Sequence, residues 1–298
     1  MATAQTFDDR DGFIWMNGKL IPWRGANVHI LTHALHYASS VFEGERSYGG
    51  KMFKLEEHTE RLFFSAKQLD MVIPFTPQQI NDATYEVLSA NNITDGYVRP
   101  IAWRGSEQMG VTARAAKINV AIACWVWPTY WTLEAKLKGI RLQISQWRRP
   151  APECAPVKAK AAGLYMICTL SKHAAENAGY DDALMFDYRG LVAEATGANV
   201  FFVMNGEIHT PTPDCFLDGI TRRTVIELAK KRGYKVIERA ITTEEMAEAQ
   251  ECFLTGTAAE VTPVSEIGPY LFTPGEVCRN LIADFDTLVG RAKQSSAA

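Results

Sequence analysis

The stretch Val192-Ala193-Glu194-Ala195-Thr196-Gly197-Ala198-Asn199-Val200-Phe201-Phe202-Val203-Met204-Asn205-Gly206-Glu207-Ile208-His209-Thr210 decides the class of fold. Val192–Glu194, Val200–Met204 and Glu207–Thr210 are short runs that read as strands, and Asn205-Gly206 joins the last two. An Asn-Gly pair accepts positive φ at both centres of a tight turn, so it predicts a hairpin. Upstream, Leu184–Asp187 predicts another strand, Leu164–Ala178 a helix stopped by Gly179, Arg149–Lys160 a loop and Ile140–Trp147 a strand. Downstream, Ile220–Arg232 predicts a helix ended at Gly233, Thr242 and Glu245 have capping-box spacing, and Pro274–Leu288 predicts a last amphipathic helix. The sequence therefore reads as α/β (α+β), with a larger C-terminal domain over 140–298.

The N-terminal part follows the same logic. Asn17-Gly18 inside Phe13–Ile21 predicts a first hairpin, and Gly49-Gly50 joins Phe42–Tyr48 to Lys51–Leu55. Apolar residues at helical spacing over Glu57–Leu69 predict a helix, and Thr76-Pro77 supplies an N-cap and first-turn proline for another through Ala90. Tyr97–Arg104 and Ile118–Trp127 then read as strands, which makes 1–127 a smaller α+β domain. Periodicity fails from Trp127 to Lys138, where Trp127, Pro128, Tyr130 and Trp131 cluster, so 128–139 is expected to connect the two domains.

Composition excludes several functions. At about 100–200 residues per domain, 298 residues suggest two domains. With 31 Lys and Arg against 34 Asp and Glu, the formal charge of −3 gives no electrostatic reason to expect nucleic acid or an anionic membrane. The longest apolar run, Val120–Trp127, is far short of the roughly 20 residues that cross a bilayer. The six cysteines form no CxxC pair, and the N-terminus lacks the basic and apolar pattern of a signal peptide, so a reduced, cytoplasmic protein is expected. Neither GxxxxGK[ST], GxGxxG between strand and helix, HExxH nor GxSxG occurs. His29, His33 and His36 would share a helix face, but without a complete ligand set they read as structural, and no metal is expected.

What remains suits an anionic organic cofactor attacked by an amine. Gly219-Ile220-Thr221-Arg222 opens a helix, where free amides and the dipole attract phosphate, and Thr255-Gly256-Thr257-Ala258-Ala259 combines hydroxyls with small residues. Each is also compatible with an ordinary helix start or turn. Lys160 lies among small residues in Ala159-Lys160-Ala161-Ala162-Gly163. A desolvated lysine loses its proton more readily and can form an imine with an aldehyde, whereas a solvated one is only a surface charge.

Five blocks together resemble one family, the fold type IV pyridoxal-phosphate aminotransferases and in particular the branched-chain amino acid aminotransferases. They are His36–Gly44, Tyr97-Val98-Arg99-Pro100, Lys160–Tyr165, Glu194–Phe201 and Thr255–Glu260, with Gly219-Ile220-Thr221-Arg222 in the matching place. The resemblance covers nearly the whole chain. It implies a two-domain fold with the active site between the domains, pyridoxal 5′-phosphate as cofactor, amino acid and 2-oxo acid substrates, and a homodimer or higher homo-oligomer. Lys160 resembles the Schiff-base lysine and proton carrier, with Lys158 as the nearby rival. Glu194 resembles the carboxylate paired with the pyridine nitrogen. Arg61, Ile220, Thr221 and Thr257 resemble the phosphate ligands, and Tyr165 the tyrosine beside the phenolic oxygen.

For the substrate, the resemblance implies α-carboxylate binding by Thr257 and Ala258 and a carboxylate-reading role for Tyr97 and Arg99. Phe42, Val111, Trp127 and Tyr130 resemble an apolar wall, with Tyr37 reaching across from a partner subunit. The implied reaction transfers the amine of leucine, isoleucine or valine to 2-oxoglutarate by a ping-pong mechanism. Three departures stand out: Ala198-Asn199 replaces the familiar Glu-Asn, Gly44-Glu45-Arg46 replaces Gly-Ile-Arg, and Asp218 replaces the proline before Gly-Ile-Thr-Arg. The alternatives are D-amino acid or (R)-amine transamination, aminodeoxychorismate lyase chemistry on the same fold, and a non-catalytic binding protein.

Overall fold

The structure is a computed structural model and describes residues 6–127 and 133–291. The chain divides into two compact units, Met1–Pro128 with Ala159–Gly163, and Thr129–Lys158 with Leu164–Ala298. The short segment bearing Lys160 thus belongs with the N-terminal unit, although the sequence pattern assigns it to the C-terminal part. Its backbone explains this: Ala161 bridges Val41, the Lys160 amide donates to Ser65 Oγ (2.9 Å), and the Lys160 carbonyl accepts from the Phe42 amide (3.1 Å). Residues 128–132 of the expected connector, Tyr130 among them, lie outside the described residues.

The first unit carries strands β1 (Phe13–Met16), β2 (Lys19–Pro22), β3 (Ser40–Phe42), β4 (Glu45–Tyr48), β5 (Lys51–Met52), β6 (Gly96–Arg104) and β7 (Ile118–Val126). They form one sheet in the order β2-β1-β7-β6-β4-β5, with β3 also on β6. Asn17 and Gly18 adopt φ of 49° and 94°, the turn their sequence requires. The expected strand Phe42–Tyr48 breaks at Glu43-Gly44, where the Glu43 amide donates to the Pro100 carbonyl. A Cβ on Gly44 would lie 2.0 Å from the Tyr97 hydroxyl, so only glycine fits the break.

Helices α1 (His33–Tyr37), α2 (Leu55–Gln68) and α3 (Pro77–Ala90) complete this unit. Thr76 caps α3 in a full capping box with Gln79. Helix α2 turns Leu62 and Ala66 into the core, while His58 and Arg61 meet Glu43. The histidine trio does not share a helix, because α1 begins at His33. His33 bonds Ser39 Oγ (2.7 Å) and the Gly110 carbonyl (2.9 Å), and His36 bonds the Ile30 carbonyl (2.9 Å).

The second unit contains α4 (Leu133–Lys136), β8 (Ile140–Arg149), α5 (Met166–Asn177), β9 (Asp182–Asp187), β10 (Val192–Ala195), β11 (Asn199–Met204), β12 (Glu207–Pro211), α6 (Ile220–Lys231), β13 (Val236–Arg239), β14 (Glu251–Gly256), β15 (Glu260–Ile267), β16 (Tyr270–Leu271) and α7 (Glu276–Leu288). The sheet runs β10-β9-β8-β15-β14-β11-β12-β13. Glu194 pairs with Asn199 across β10 and β11, so the path from β10 through β9, β8, β15 and β14 to β11 closes on itself. Inside lie Leu142, Leu184, Val200, Phe202, Leu254 and Val264, all 2% exposed or less. Removing such side chains from water stabilises the unit by about 1.5–3 kcal/mol each.

The spacing of Thr242 and Glu245 gives only half of the predicted box. The Thr242 amide donates to Glu245 (2.8 Å), but the turn that follows is a short 3₁₀ segment, Glu244–Glu248, without a side-chain cap.

Candidate active site

In the first unit, three elements converge on Glu43: the strand break that carries it, α2, and the 159–163 segment. Glu43 is fully buried and accepts both Nε (2.7 Å) and Nη2 (2.8 Å) of Arg61, together with His58 Nδ1 (2.7 Å). Burial by itself would raise its pKa, but the fork of Arg61 and the bond from His58 outweigh that and hold the carboxyl well below its usual range. Burial also keeps His58 below the ordinary imidazole value, against the pull of Glu43.

Lys160 is half-buried, with Nζ 5.0 Å from the centroid of the Phe42 ring. Burial first and the Arg61 charge second bring its ammonium down to about 8, with Glu43 and Tyr97 opposing and Arg99 assisting. Lys158, the rival amine, is exposed. Around Lys160 stand Phe42, Tyr97 and Arg99. The Arg99 guanidinium lies 4.8 Å over Phe42, its Nη2 donates to the Tyr97 hydroxyl (3.1 Å), and its buried Nε has no hydrogen-bond partner among the described residues. Trp127 tilts against Tyr97 at 5.2 Å.

Two expected residues stand apart from this group. Val111 is 89% exposed, and Tyr37 is 44% exposed with its ring stacked on His33 at 4.5 Å. Neither is buried within this unit.

The second unit holds a separate constellation. Glu194 is buried on β10, its Oε1 3.4 Å from Arg149 Nε and its Oε2 accepting from Asn199 Nδ2 (3.4 Å). Burial works against the charge on Arg149, and the neighbouring Glu194 more than offsets it, so the guanidinium stays firmly protonated. Asn199 also donates to the Leu217 carbonyl (2.9 Å), which fixes its amide and ties β11 to the start of α6. The bond from Asn199 to Glu194 persists although Ala198 stands beside it.

Gly219 precedes α6 without a side-chain cap, and Ile220 and Thr221 are buried at its first turn. A Cβ on Gly219 would lie 2.2 Å from Asn199 Oδ1, so the helix start approaches β11 closely. Arg222 next to them is structural: it is buried and bonds Asp218 (2.9 Å), Glu238 (2.7 Å) and the Pro211 carbonyl (3.1 Å). Asp218, one of the departures noted in the sequence, is thus engaged in an ion pair. In the β14–β15 turn Thr257 is half-buried and Ala258 exposed, while the buried Thr255 Oγ1 has no hydrogen-bond partner among the described residues. Tyr165 is half-buried at the start of α5.

Sequence reasoning assigns no part to Glu43, His58 or Arg149. Glu43 is visible as an acid directly after Val41-Phe42, but its partners lie 15 and 18 residues further along the chain. Arg149 sits 45 residues from Glu194, beyond any local signal.

Comparison with known proteins places the chain in a family. Residues 40–267 match the model of the amino-transferase class IV family. The branched-chain-amino-acid aminotransferase of Pseudomonas aeruginosa is 43% identical over 263 residues, covering 87% of this chain and 86% of that protein. The crystal structure of the T.th. branched-chain amino acid aminotransferase with pyridoxamine 5′-phosphate superposes with a TM-score of 0.92 at 41% identity, over 95% of both chains. The same enzyme complexed with N-(5′-phosphopyridoxyl)-L-glutamate gives 0.90 at 40% identity, again over 95% of both chains.

Proposed function

The chain belongs to the class IV aminotransferases, and on that footing we propose that it moves the amino group of leucine, isoleucine or valine onto 2-oxoglutarate, with pyridoxal 5′-phosphate as cofactor. The products are the branched-chain 2-oxo acid and L-glutamate, formed in two half-reactions that share one set of residues. One observation carries this reading: Lys160 combines an apolar setting against Phe42 with a pKa brought down to about 8, as an amine that must add to a carbonyl requires.

The residues present fit that cofactor. An uncapped helix start with buried Ile220 and Thr221, the hydroxyl of Thr257 and the guanidinium of Arg61 are donors suited to a phosphate dianion. Glu194, held by Arg149 and Asn199, presents a buried anion suited to a protonated ring nitrogen. The chemistry that bound pyridoxal phosphate supplies is an aldehyde carbon for the amine and a cationic ring that draws electrons away from Cα.

The protein's own part is positioning and proton handling. Lys160, poised near neutrality, holds the amine and carries the proton at the substrate Cα. Glu43 grips the Nε and Nη2 edge of Arg61 and so fixes the direction of the whole guanidinium. Arg99 would offer its Nε, which has no hydrogen-bond partner among the described residues, to a substrate carboxylate, with Tyr97 steadying Nη2. Phe42, Tyr97 and Trp127 would give the aliphatic side chain an apolar wall, Tyr165 would serve the phenolic oxygen, and the Thr257-Ala258 turn would receive the α-carboxylate.

Among the described residues no helix is long and apolar enough to cross a membrane. All six cysteines are free and five are buried, which fits a reducing cytoplasm. Ile30, Leu31, Leu35, Tyr37 and Val111 are exposed apolar side chains, and His33 of α1 ties the two segments that carry them together through the Gly110 carbonyl. That patch suits a second copy of the chain, in a homodimer or higher homo-oligomer. An amine-donor panel tests the reaction. L-Leucine, L-isoleucine and L-valine with 2-oxoglutarate are expected to outpace D-alanine and an (R)-aryl amine, and the reverse order would overturn the reading.

A further inference from the structure

Glu45 has no part in the function described above, yet its setting is unusual. It lies on β4 with 1% exposure, opposite Val98 of β6, and its Oε2 is buried without a hydrogen-bond partner among the described residues. Two residues earlier, Glu43 takes Nε and Nη2 of Arg61 and Nδ1 of His58. The two acids therefore share one buried neighbourhood, in which these three donors serve Glu43. Leaving an ionised carboxylate buried without such donors is costly, so one acid keeps its proton.

The groups facing Glu45 define that proton's balance. Burial and the charge of Glu43 both oppose ionisation, and Arg61 of α2 favours it, with the outcome that the Glu45 pKa is raised well above the ordinary value. His58 of α2 is itself held toward neutrality, in part by Lys160, and β6 contributes the apolar Val98 opposite. Lys51 of β5 is exposed, opposite Tyr48.

We propose that Glu45 is a positioning residue for anion binding at Arg61, coupled to it through a proton: the neutral acid is the form that retains a phosphate dianion there. The inference rests on the proposal that Arg61 holds the cofactor phosphate. A dianion on Arg61 neutralises a nearby charge that favours the Glu45 carboxylate, so binding raises the affinity of Glu45 for its proton. Reciprocally, loss of that proton to solvent puts a second anion beside Arg61 and weakens its hold on phosphate. Affinity therefore falls as pH rises from the titration of the free form to that of the bound form, and levels beyond it.

The test uses pyridoxamine 5′-phosphate, which has no aldehyde and does not join Lys160. Its Kd is measured by fluorescence between pH 7 and pH 10 on wild type and on Glu45→Gln, which mimics the neutral acid. Lys160 and the ligand titrate alike in both, so the ratio of the two Kd values isolates Glu45. The ratio of wild type to variant, relative to its value at pH 7, is expected to rise by about threefold or more by pH 10. With pyridoxamine, which lacks the phosphate, the ratio is expected to stay flat.

A flat ratio with pyridoxamine 5′-phosphate would overturn the role of Glu45 and leave that of Arg61 intact. An Arg61→Gln variant that binds the phosphate as tightly as wild type at pH 7 would overturn both. Infrared spectra of the wild type give an answer even if Glu45→Gln does not fold. At the pH where the protonated-carboxyl band is half lost in the free protein, it is expected to grow on adding pyridoxamine 5′-phosphate and not pyridoxamine, and no growth would overturn the proposal.

Discussion

Replacing Glu43 with Gln tests the charge balance under the site. In wild type the Glu43 carboxylate satisfies three side-chain N–H donors at 2.7, 2.8 and 2.7 Å while fully buried. Glutamine has one acceptor oxygen, turns an NH₂ toward Arg61 or His58, and leaves the mostly buried Arg61 without its anion. Breaking a buried pair in this way costs about 3–5 kcal/mol. At roughly 2–4 °C per kcal/mol, the melting transition of the cofactor-free protein should fall by at least about 6 °C at pH 7.

The pH dependence fixes the cause. The folded-state pKa of Glu43 is depressed, so its contribution is present above the ordinary value of 4.5 and is lost as pH falls toward the folded value. Each pH unit below 4.5 should therefore narrow the gap between wild type and variant by about 1.4 kcal/mol. Calorimetric melts at pH 7, 4.5 and 3.5 follow this directly. A loss below about 2 °C at pH 7, or a gap that stays constant down to pH 3.5, would refute the reasoning, since the first denies the burial cost and the second denies the ionised carboxylate.

Two further outcomes follow from the second unit. Arg149→Met strands Glu194 in the interior and should destabilise by about 3–5 kcal/mol, while adding Glu194→Gln to it should recover more than half; thermal melts of both variants decide this, and equal melts would contradict it. Gly219→Ala places a Cβ 2.2 Å from Asn199 Oδ1 and displaces the amide that bonds Glu194, so it should weaken pyridoxamine 5′-phosphate binding about tenfold or more, measured by fluorescence titration.

How much of this is legible in the sequence depends on the range of the interaction that decides it. Asn17-Gly18, Asn205-Gly206 and Thr76-Pro77 carry their structure within four residues, and the structure follows them. Strands β13, β14 and β15 are absent from the sequence reading. In β14 the residues from Glu251 to Thr255 are all buried, so polar and apolar positions do not alternate and period-two patterning is lost. The break at Glu43-Gly44 is set by the Tyr97 hydroxyl more than 50 residues away, and the union of 159–163 with the first unit by Val41, Phe42 and Ser65. Glu45 is noticeable as a departure, but its burial and its neighbour's monopoly of His58 and of one Arg61 edge are tertiary facts. The resemblance supplies candidate ligands; the ionic scaffolding behind them, Glu43 under Arg61 and Arg149 behind Glu194, exists only in the folded chain.

Mass analysis of the borohydride-reduced protein tests the central assignment most directly. After incubation with pyridoxal 5′-phosphate and reduction, the phosphopyridoxyl group is expected on the peptide at Lys160. Finding it on Lys158 or another amine, or finding no adduct, would contradict the account.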